Sequence, residues 1–321
     1  MAEETKLHFP REEAESLEPH LPPPPSPSAL PSSPTQKSRA TGGSSSPLPF
    51  VTLTFATSLD SALALGQGIR TALSGPRSKA MTHYLRSRHD AICVGVGTAI
   101  ADDPGLNCRL EVEEEKEEEE EEACVSSDAK TNIDTGAGGV VDSIATTTTR
   151  NARQPRPIIV DPRLRWDFTA DSKVMRLARL GKGLAPYILT FVKDPPEHKR
   201  QILSQVGGKF IVVDPGLDNS EGKEAADSRR FDWVDILSAI RREGLNSVMI
   251  EGGGEVINSL LSENASLVDS VIVTIAPIWL GQGGVIVSPP RIGGPDRPVA
   301  RLTDTMWLPL GEDVVLCGRI V

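Results

Sequence analysis

One glycine-rich stretch carries residue types suited to holding a phosphate. Residues 248–250 form an apolar run typical of a buried strand, the carboxylate of Glu251 follows, and three glycines, residues 252–254, come next. Glu255 then opens a run with helical spacing, so the stretch predicts a strand, a tight turn and a helix. Glycines let backbone N–H groups approach a ligand, and a helix N-terminus carries partial positive charge. On these residues alone, a turn that keeps glycine only for packing fits equally well.

A second junction, from a strand into a predicted loop, combines a hydroxyl with two carboxylates. Residues 90–96 form another apolar strand run, which leads into Thr98 and then into the carboxylate pair Asp102 and Asp103. Neither glycine-containing junction matches the dinucleotide-binding pattern G-x-G-x-x-G, because isoleucine stands at the last glycine position of each. A standard Rossmann domain is therefore not expected, and both junctions remain candidate ligand sites.

Two further groups of polar residues have both a functional and a structural explanation. Asp60 follows the strand run 50–56, so it lies where open α/β sheets bind ligands, or it caps a turn. Arg86 and Arg88 gather at the end of a helical run that begins near Pro76. Those bases bind a phosphate or complement the helix dipole, and the residues alone favour the second explanation.

Several kinds of chemistry lack their residues. The five histidines lie in the N-terminal segment or in helical runs, and the sequence has no G-x-S-x-G elbow, Walker loop or zinc-deaminase motif. The four cysteines form no Cys-x-x-Cys pair and have no neighbouring histidine at metal-ligand spacing, so we expect no metal site. The remaining glycines, hydroxyls, carboxylates and arginines fit chemistry that a bound cofactor carries.

The charge of the chain is concentrated in one place. The formal net charge is −10, and residues 111–122 alone hold ten glutamates and one lysine. Outside that run the chain is nearly neutral, so we expect neither nucleic acid nor an anionic membrane as a partner. No apolar run reaches the roughly 20 residues of a membrane span, and the acidic N-terminus resembles no targeting signal. We therefore expect a cytoplasmic protein with free thiols.

Two segments are predicted to lack order. Residues 1–48 are rich in proline and serine and poor in large apolar side chains, and such a composition buries too little surface to offset chain entropy. Residues 111–153 combine the glutamate run with a Ser, Thr, Gly and Ala stretch. This second segment is an insertion in a surface loop or a linker between domains. Strands of one kind on both sides favour the insertion, and hence a single domain over residues 49–321.

The rest of the chain predicts an α/β sheet with many parallel strands, because strand runs alternate with helical runs. One helix is well defined: Asp232 caps it, Trp233, Ile236 and Ile240 share a face, and Gly244 ends it. The last strand is expected to be antiparallel at an edge, and the loop 277–284 is a candidate to close over a ligand. The strand runs are residues 50–56, 90–96, 157–161, 187–191, 209–213, 248–250, 270–275 and 314–321.

Taken together, these motifs resemble a known family. The stretches TFATSLDSALAL, MTHYLRSRHDAICVGVGTAIADDPGLNCRL and MIEGGGEVINSLL are closely similar to the reductases of riboflavin biosynthesis. The similarity is greatest to the stand-alone fungal enzymes, which reduce the ribose of 2,5-diamino-6-ribosylamino-4(3H)-pyrimidinone 5′-phosphate. It covers nearly all of residues 48–321 apart from the acidic insertion. In bacteria a similar domain is fused to a zinc deaminase, whose motifs are missing from this sequence.

The resemblance implies a fold, a partner and a set of site residues. The fold is dihydrofolate-reductase-like, a mainly parallel sheet flanked by helices, and the family is usually homodimeric. The cofactor is NADPH, with NADH as a second possibility, and the other ligand is a phosphorylated pyrimidine. Matching positions assign cofactor contacts to Thr98, Asp102, Gly252, Gly253, Gly254, Glu255 and Val256. They assign substrate contacts to Arg86, Leu106, Arg109 and Glu251.

The implied reaction is hydride transfer to C1′ of the sugar in its ring-opened, imine-like form. Asp60 is the candidate catalytic residue, as an aid to proton movement or as an orienting group. Many members of the family have Ser-Leu-Asp-Gly after the first strand whereas this chain has Ser61 in place of the glycine, a departure that concerns the local turn. Two alternatives remain: a pteridine or folate reductase on the same fold, and a non-catalytic nucleotide-binding interaction protein.

Overall fold

Strands and helices alternate along most of the chain. The computed structural model describes residues 7–23, 48–112, 150–151, 153–214, 231–291 and 296–321. The strands are β1 Phe50–Thr57, β2 Ala62–Ala64, β3 Ala91–Gly95, β4 Glu111–Val112, β5 Arg150–Asn151, β6 Arg156–Val160, β7 Tyr187–Thr190, β8 Lys209–Val212, β9 Ser247–Gly252, β10 Ser270–Ile275, β11 Val285–Ile286, β12 Leu302–Leu310 and β13 Asp313–Ile320. The helices are α1 Arg11–Leu17, α2 Pro76–Arg88, α3 Val96–Asp102, α4 Lys173–Arg179, α5 Glu197–Ser204, α6 Trp233–Arg242 and α7 Gly254–Leu261.

A nine-stranded sheet forms the centre of the molecule, in the order β12-β13-β10-β1-β9-β3-β6-β7-β8. The seven strands from β10 to β8 pair in parallel, whereas β13 pairs antiparallel with β10 and with β12. The predicted mainly parallel α/β sheet is confirmed. The last strand is antiparallel as expected, but β12 rather than β13 forms the edge. Sequence analysis missed β12 because Asp304 and Pro309 interrupt its pattern.

Helices cover both faces of this sheet, which explains why its strands are continuous apolar runs. Successive residues of β9 show the arrangement: Val248 and Ile250 pack with α6 and α7, whereas Met249 packs with α1 and α2. Further along the sheet, α3, α4 and α5 cover that second face over β3, β6 and β7. Both faces are therefore buried over the strands that carry the candidate site.

The N-terminal segment differs from the prediction. Residues 7–23 were expected to lack order, yet α1 packs against the sheet and α2, with Leu17 fully buried and Phe9 and Leu21 nearly so. The prediction averaged the composition of residues 1–48 and so gave little weight to the few large apolar residues near its start. Burial of these side chains supplies enough apolar surface to hold this segment against the domain. The rest of the predicted tail, residues 1–6 and 24–47, lies outside the described residues.

The two ends of the predicted insertion lie side by side. Glu111 pairs with Asn151 and Val112 with Arg150, so β4 and β5 form a short antiparallel ribbon. The strands before and after it, β3 and β6, are neighbours in the sheet. This adjacency supports an insertion within one sheet over a linker between domains. Residues 113–149 lie outside the described residues.

The junction after β3 is a helix where a loop was expected. Helix α3 begins at Val96 and ends at Asp102, and Asp103 then turns the chain with a φ of 40°. Gly97 lowers helix propensity, which favoured the loop prediction, but Val96 and Ala99 are buried and fix the helix by packing. Throughout the described part of the chain, no helix combines the length and the apolar character needed to cross a bilayer.

Candidate active site

The candidate residues meet at the carboxyl ends of three neighbouring strands in the middle of the sheet. Strands β1, β9 and β3 are adjacent and parallel, so their carboxyl ends point the same way. Asp60 follows β1, Glu251 is the second-last residue of β9, and Thr98 lies in α3 directly after β3. The Thr98 hydroxyl donates to the carbonyl of Gly252 at 3.5 Å, so the two glycine-containing junctions touch. The topology therefore assembles what the sequence placed in three separate stretches.

Glycine is required at the turn after β9 for two reasons. Gly252 and Gly253 have φ values of 98° and 67°, which residues with a side chain rarely adopt. A Cβ at Gly252 or Gly254 would also lie 2.6 Å from a side-chain atom of Ile257 or Val285, respectively. The packing explanation thus accounts for part of the motif. The ligand explanation keeps its own support, because α7 starts here and the first N–H groups of a helix have no intrahelical partner.

A β-bulge aims Glu251 toward α2. In the pairing of β9 with β3, Cys93 lies opposite Ile250 and Val94 opposite Gly252, which leaves Glu251 as the extra residue. Its carboxylate forms a bidentate ion pair with Arg86: Nε to Oε1 is 2.8 Å and Nη2 to Oε2 is 2.7 Å. The two side chains are 14% and 18% exposed.

Arg86 was expected to contact the substrate phosphate, but this ion pair commits part of its guanidinium to Glu251. Burial disfavours the charged form of Arg86, but the charge and hydrogen bonds of Glu251 outweigh it and raise the pKa of the guanidinium. Nη1 also donates to the carbonyl of Asn107 at 3.0 Å. Three of the five N–H groups of Arg86 are therefore engaged within the protein. Arg86 orients Glu251, and among the described residues its other two donors have no hydrogen-bond partner.

Arg109 is the other predicted phosphate ligand, and its side chain is available. Among the described residues no carboxylate lies within ion-pair distance of its exposed guanidinium, which rests on the imidazole of His83. His83 is one turn before Arg86 on α2, so the two arginines and the histidine adjoin one region. Leu106, by contrast, is buried with a φ of 50°, so only its backbone can meet a ligand.

Asp60 is held in a network that ties two loops together. One carboxylate oxygen accepts from the Ser58 hydroxyl at 2.5 Å and from Leu280 N at 3.1 Å, and the other accepts from Gly281 N at 2.7 Å. The Ser58 hydrogen bond, with those of the two amides, lowers the pKa of Asp60 to about 2. Asp60 is therefore ionised near neutral pH and anchors the loop 277–284. Ser61 follows with a φ of 61°, a conformation that glycine adopts more readily.

The remaining predicted cofactor residues line the junction from two sides. Asp102 ends α3, and within the described residues its half-buried carboxylate has neither a hydrogen bond nor an ion pair. A carboxylate at a helix C-terminus opposes the helix dipole, so a structural reason for it is lacking. Glu255 lies exposed in the first turn of α7, and the half-buried side chain of Val256 packs toward Gly95.

Sequence analysis missed His83, Ser58 and Asn107. His83 could have been noticed, because it shares a helix face with Arg86 at a spacing of three residues. Ser58 and Asn107 act through contacts that no local pattern announces. In the part of the chain that is described, no group of three or more His, Cys, Asp or Glu residues is placed to hold a metal ion.

The fold and the site together indicate the class of protein. A mainly parallel sheet flanked by helices, with the candidate ligand-binding residues at the carboxyl ends of its strands, agrees with the dihydrofolate-reductase-like α/β architecture that the sequence predicted. The family model of the RibD C-terminal domain matches residues 49–316, and the chain belongs to this family.

Individual relatives agree with this assignment. The chain is 37% identical over 273 residues to the 2,5-diamino-6-ribosylamino-4(3H)-pyrimidinone 5′-phosphate reductase of Debaryomyces hansenii, covering 85% of this chain and 90% of the relative. The enzyme of the same name from Eremothecium gossypii is 36% identical over 308 residues, 96% of each chain. Among solved structures, the riboflavin biosynthesis reductase of Saccharomyces cerevisiae covers 97% of this chain and all of its own, with a TM-score of 0.60 and 27% identity.

Proposed function

We propose that this protein reduces the ribosyl side chain of 2,5-diamino-6-ribosylamino-4(3H)-pyrimidinone 5′-phosphate to the ribitylamino product in riboflavin biosynthesis. The observation that carries the proposal is the position of Glu251. It lies between the glycine turn that suits a cofactor phosphate and the region of Arg86 and Arg109 that suits a substrate phosphate. The relatives named above, which span nearly the full chain, support the same reaction.

The residues at the glycine turn fit a nicotinamide cofactor, and we propose NADPH, with NADH as the alternative. The first N–H groups of α7 have no partner within the helix, and they follow a turn whose positive φ values favour glycine, which suits a pyrophosphate. Asp102 and Thr98 line the opposite side, where the hydroxyls of a ribose find acceptors in the Asp102 carboxylate and in the lone pairs of the Thr98 hydroxyl, whose own hydrogen points to the Gly252 carbonyl. The cofactor, when bound, supplies the hydride for C1′ of the substrate.

The protein's own residues bind and orient. Arg109 provides a positive charge that no carboxylate of the described residues neutralises, and a guanidinium can bind two phosphate oxygens at once. Arg86 fixes the carboxylate of Glu251, so that this group contacts the substrate in one orientation. Asp60 holds the loop 277–284 in place beside the site.

Oxidation of NADPH in the presence of the phosphorylated precursor, followed by absorbance, tests the proposal. We expect turnover with this compound, little with dihydrofolate, and a higher kcat/KM with NADPH than with NADH. A preference for dihydrofolate would favour the pteridine or folate reductase. Binding of NADPH without oxidation would favour the non-catalytic interaction protein.

We also propose that the protein is a homodimer in the cytoplasm. A groove of about 430 Å³ lies at the β1, β10 and β12 side of the sheet, lined by apolar side chains such as Phe55, Val273 and Leu302. A second copy would cover it. The buried free thiols of Cys93, Cys108 and Cys317 support a reducing compartment. Light scattering should give twice the chain mass of 34.4 kDa, and a monomer mass at all concentrations would contradict the dimer.

A further inference from the structure

The imidazole of His83 lies between the main chain and the side chain of one residue, Arg109. Its Nδ1 is 3.0 Å from the backbone N of Arg109. Its Nε2 is 3.3 Å from Nε and 3.0 Å from Nη2 of the same arginine. His83 is 4% exposed, whereas Arg109 reaches solvent. Both ring nitrogens therefore face N–H donors.

A neutral imidazole cannot accept at both nitrogens, because one of them carries its proton. Burial, followed by the charges of Arg86 and Arg109, lowers the pKa of His83 to about 3, against an opposing contribution from the Asn107 carbonyl. The ring is thus neutral near pH 7. The backbone of Arg109 is fixed, since its carbonyl accepts from Leu7 N at 3.3 Å, so its N–H occupies Nδ1. The hydrogen then lies on Nε2 and points at a guanidinium.

An oxyanion at this point would resolve the conflict between donors. It would accept from the Nε2–H of His83 and from the Arg109 guanidinium together, and the flexible arginine side chain can shift to admit it. Among the described residues no carboxylate takes this place, and Arg86 is already neutralised by Glu251. The Asn107 carbonyl also lies near the ring and accepts from Arg86 Nη1, and its second lone pair is a competing acceptor for the ring N–H, which the response of the Nε2–H signal to phosphate tests.

We propose that His83 is a direct ligand of the substrate's 5′-phosphate, donating from Nε2–H beside the Arg109 guanidinium. This proposal rests on the proposed function, which supplies the phosphorylated substrate. It assigns the neutral histidine a binding role that the charge of the site alone would not reveal.

Two substitutions separate the donor from the rest of the ring. In His83→Asn the side-chain oxygen can take the position of Nδ1 and still accept from Arg109 N, but the distal donor is gone. In His83→Gln the amide nitrogen can take the position of Nε2 and keep that donor. Arg109→Ala serves as the reference for loss of the phosphate site itself.

The measurement is binding of the phosphorylated precursor and of its dephosphorylated riboside by calorimetry, with ribose 5-phosphate and ribose as a second pair of probes. We expect His83→Asn to weaken binding of the phosphorylated ligands by about tenfold or more, as for one hydrogen bond to a charged group, and to leave the riboside unchanged. His83→Gln should stay within about threefold of the wild type. In the wild type, phosphate should shift the Nε2–H signal of His83 in ¹⁵N NMR spectra.

Equal effects of His83→Asn on both members of each pair, or no effect on either, would overturn the proposal. An Nδ1–H tautomer in the wild type would overturn it as well, without needing any variant to fold. If Arg109→Ala leaves the preference for phosphorylated ligands unchanged, the phosphate site of the proposed function fails instead. Absence of NADPH oxidation by a wild type that still binds ribose 5-phosphate through His83 would likewise count against the reaction alone.

Discussion

At the scale of single residues, the site depends on how two charges 165 positions apart meet. Arg86 belongs to α2 and Glu251 to the bulge of β9, and the pair is largely withdrawn from water. Taking one partner away leaves a buried charge uncompensated, which costs more than the pair itself contributes. The ion pair is therefore a requirement of the fold as well as of the site.

Replacing Glu251 by glutamine should reveal this cost. We expect Glu251→Gln to lower the free energy of unfolding by about 3 kcal/mol, because the buried guanidinium loses its counter-charge. Urea unfolding measures it, with Glu15→Gln as the matched control, since Glu15 pairs with Arg11 on the surface at 64% and 73% exposure. The control should change stability by less than about 1 kcal/mol. Equal effects of the two substitutions would contradict the buried-pair explanation.

Asp60 allows its two roles to be separated. If Asp60 only anchors the loop, Asp60→Asn should leave the shape of the pH profile of kcat/KM intact, while hydrogen exchange at Leu280 and Gly281 becomes faster. If Asp60 carries a proton, the variant should lose one limb of that profile and about a hundredfold or more in kcat. Asp167→Asn, at a carboxylate that is 94% exposed, provides the control. Unchanged exchange at the two amides would refute the anchoring role.

At the scale of elements, sequence patterns succeeded where one face of a segment is apolar and its ends carry capping residues. Helix α6 begins after Asp232, whose carboxylate accepts from Val234 N at 2.9 Å, and this helix is confirmed. Helix α3 was missed because its local signal is weak and its stability comes from tertiary packing. The pairing of Arg86 with Glu251 was beyond reach, since no local pattern specifies contacts between distant positions. The same holds for the Asp60 network.

The N-terminal segment is an element whose contribution can be measured. Leu17 is fully buried against α2 and the sheet, and Glu18 accepts hydrogen bonds from Tyr84 and Arg88 of α2. We expect Leu17→Ala to lower the free energy of unfolding by about 2–5 kcal/mol, through lost burial and the cavity left behind.

The same substitution at an exposed leucine controls for the chemistry of the change. Leu180 is 66% exposed at the end of α4, so Leu180→Ala should stay within about 0.5 kcal/mol of the wild type. Denaturant unfolding of both variants gives the comparison. A Leu17→Ala variant as stable as Leu180→Ala would mean that the N-terminal segment does not pack on the domain.

At the scale of the whole molecule, stability should fall in mild acid. His89 lies fully buried after α2, between the Leu85 carbonyl and the Thr52 hydroxyl, and burial lowers its pKa to about 4 from an ordinary 6.5. Between these values the unfolded chain binds more protons than the folded one, so stability is complete above about pH 6.5 and is lost as the pH falls toward 4. His89 alone should cost about 2 kcal/mol between about pH 7 and pH 5. Unfolding at several pH values measures the total slope, to which His83, with its pKa lowered to about 3, also contributes, and His89→Gln should reduce the slope by the share of His89. An equal slope in that variant would contradict the assignment.

Removal of the acidic insertion tests whether the sheet is complete without it. The insertion begins after β4 and ends before β5, and Val112 lies opposite Arg150, so a short turn can join the two strands. A two-residue Asn-Gly link suits an antiparallel ribbon, because its left-handed backbone matches the twist of the strands. We expect replacement of residues 113–149 by Asn-Gly to leave kcat/KM within about threefold of the wild type. Closing a shorter loop also costs less entropy, so the thermal midpoint should hold or rise. A product that unfolds, or that binds NADPH but not the substrate, would show that the insertion is part of the reductase rather than an addition to its surface.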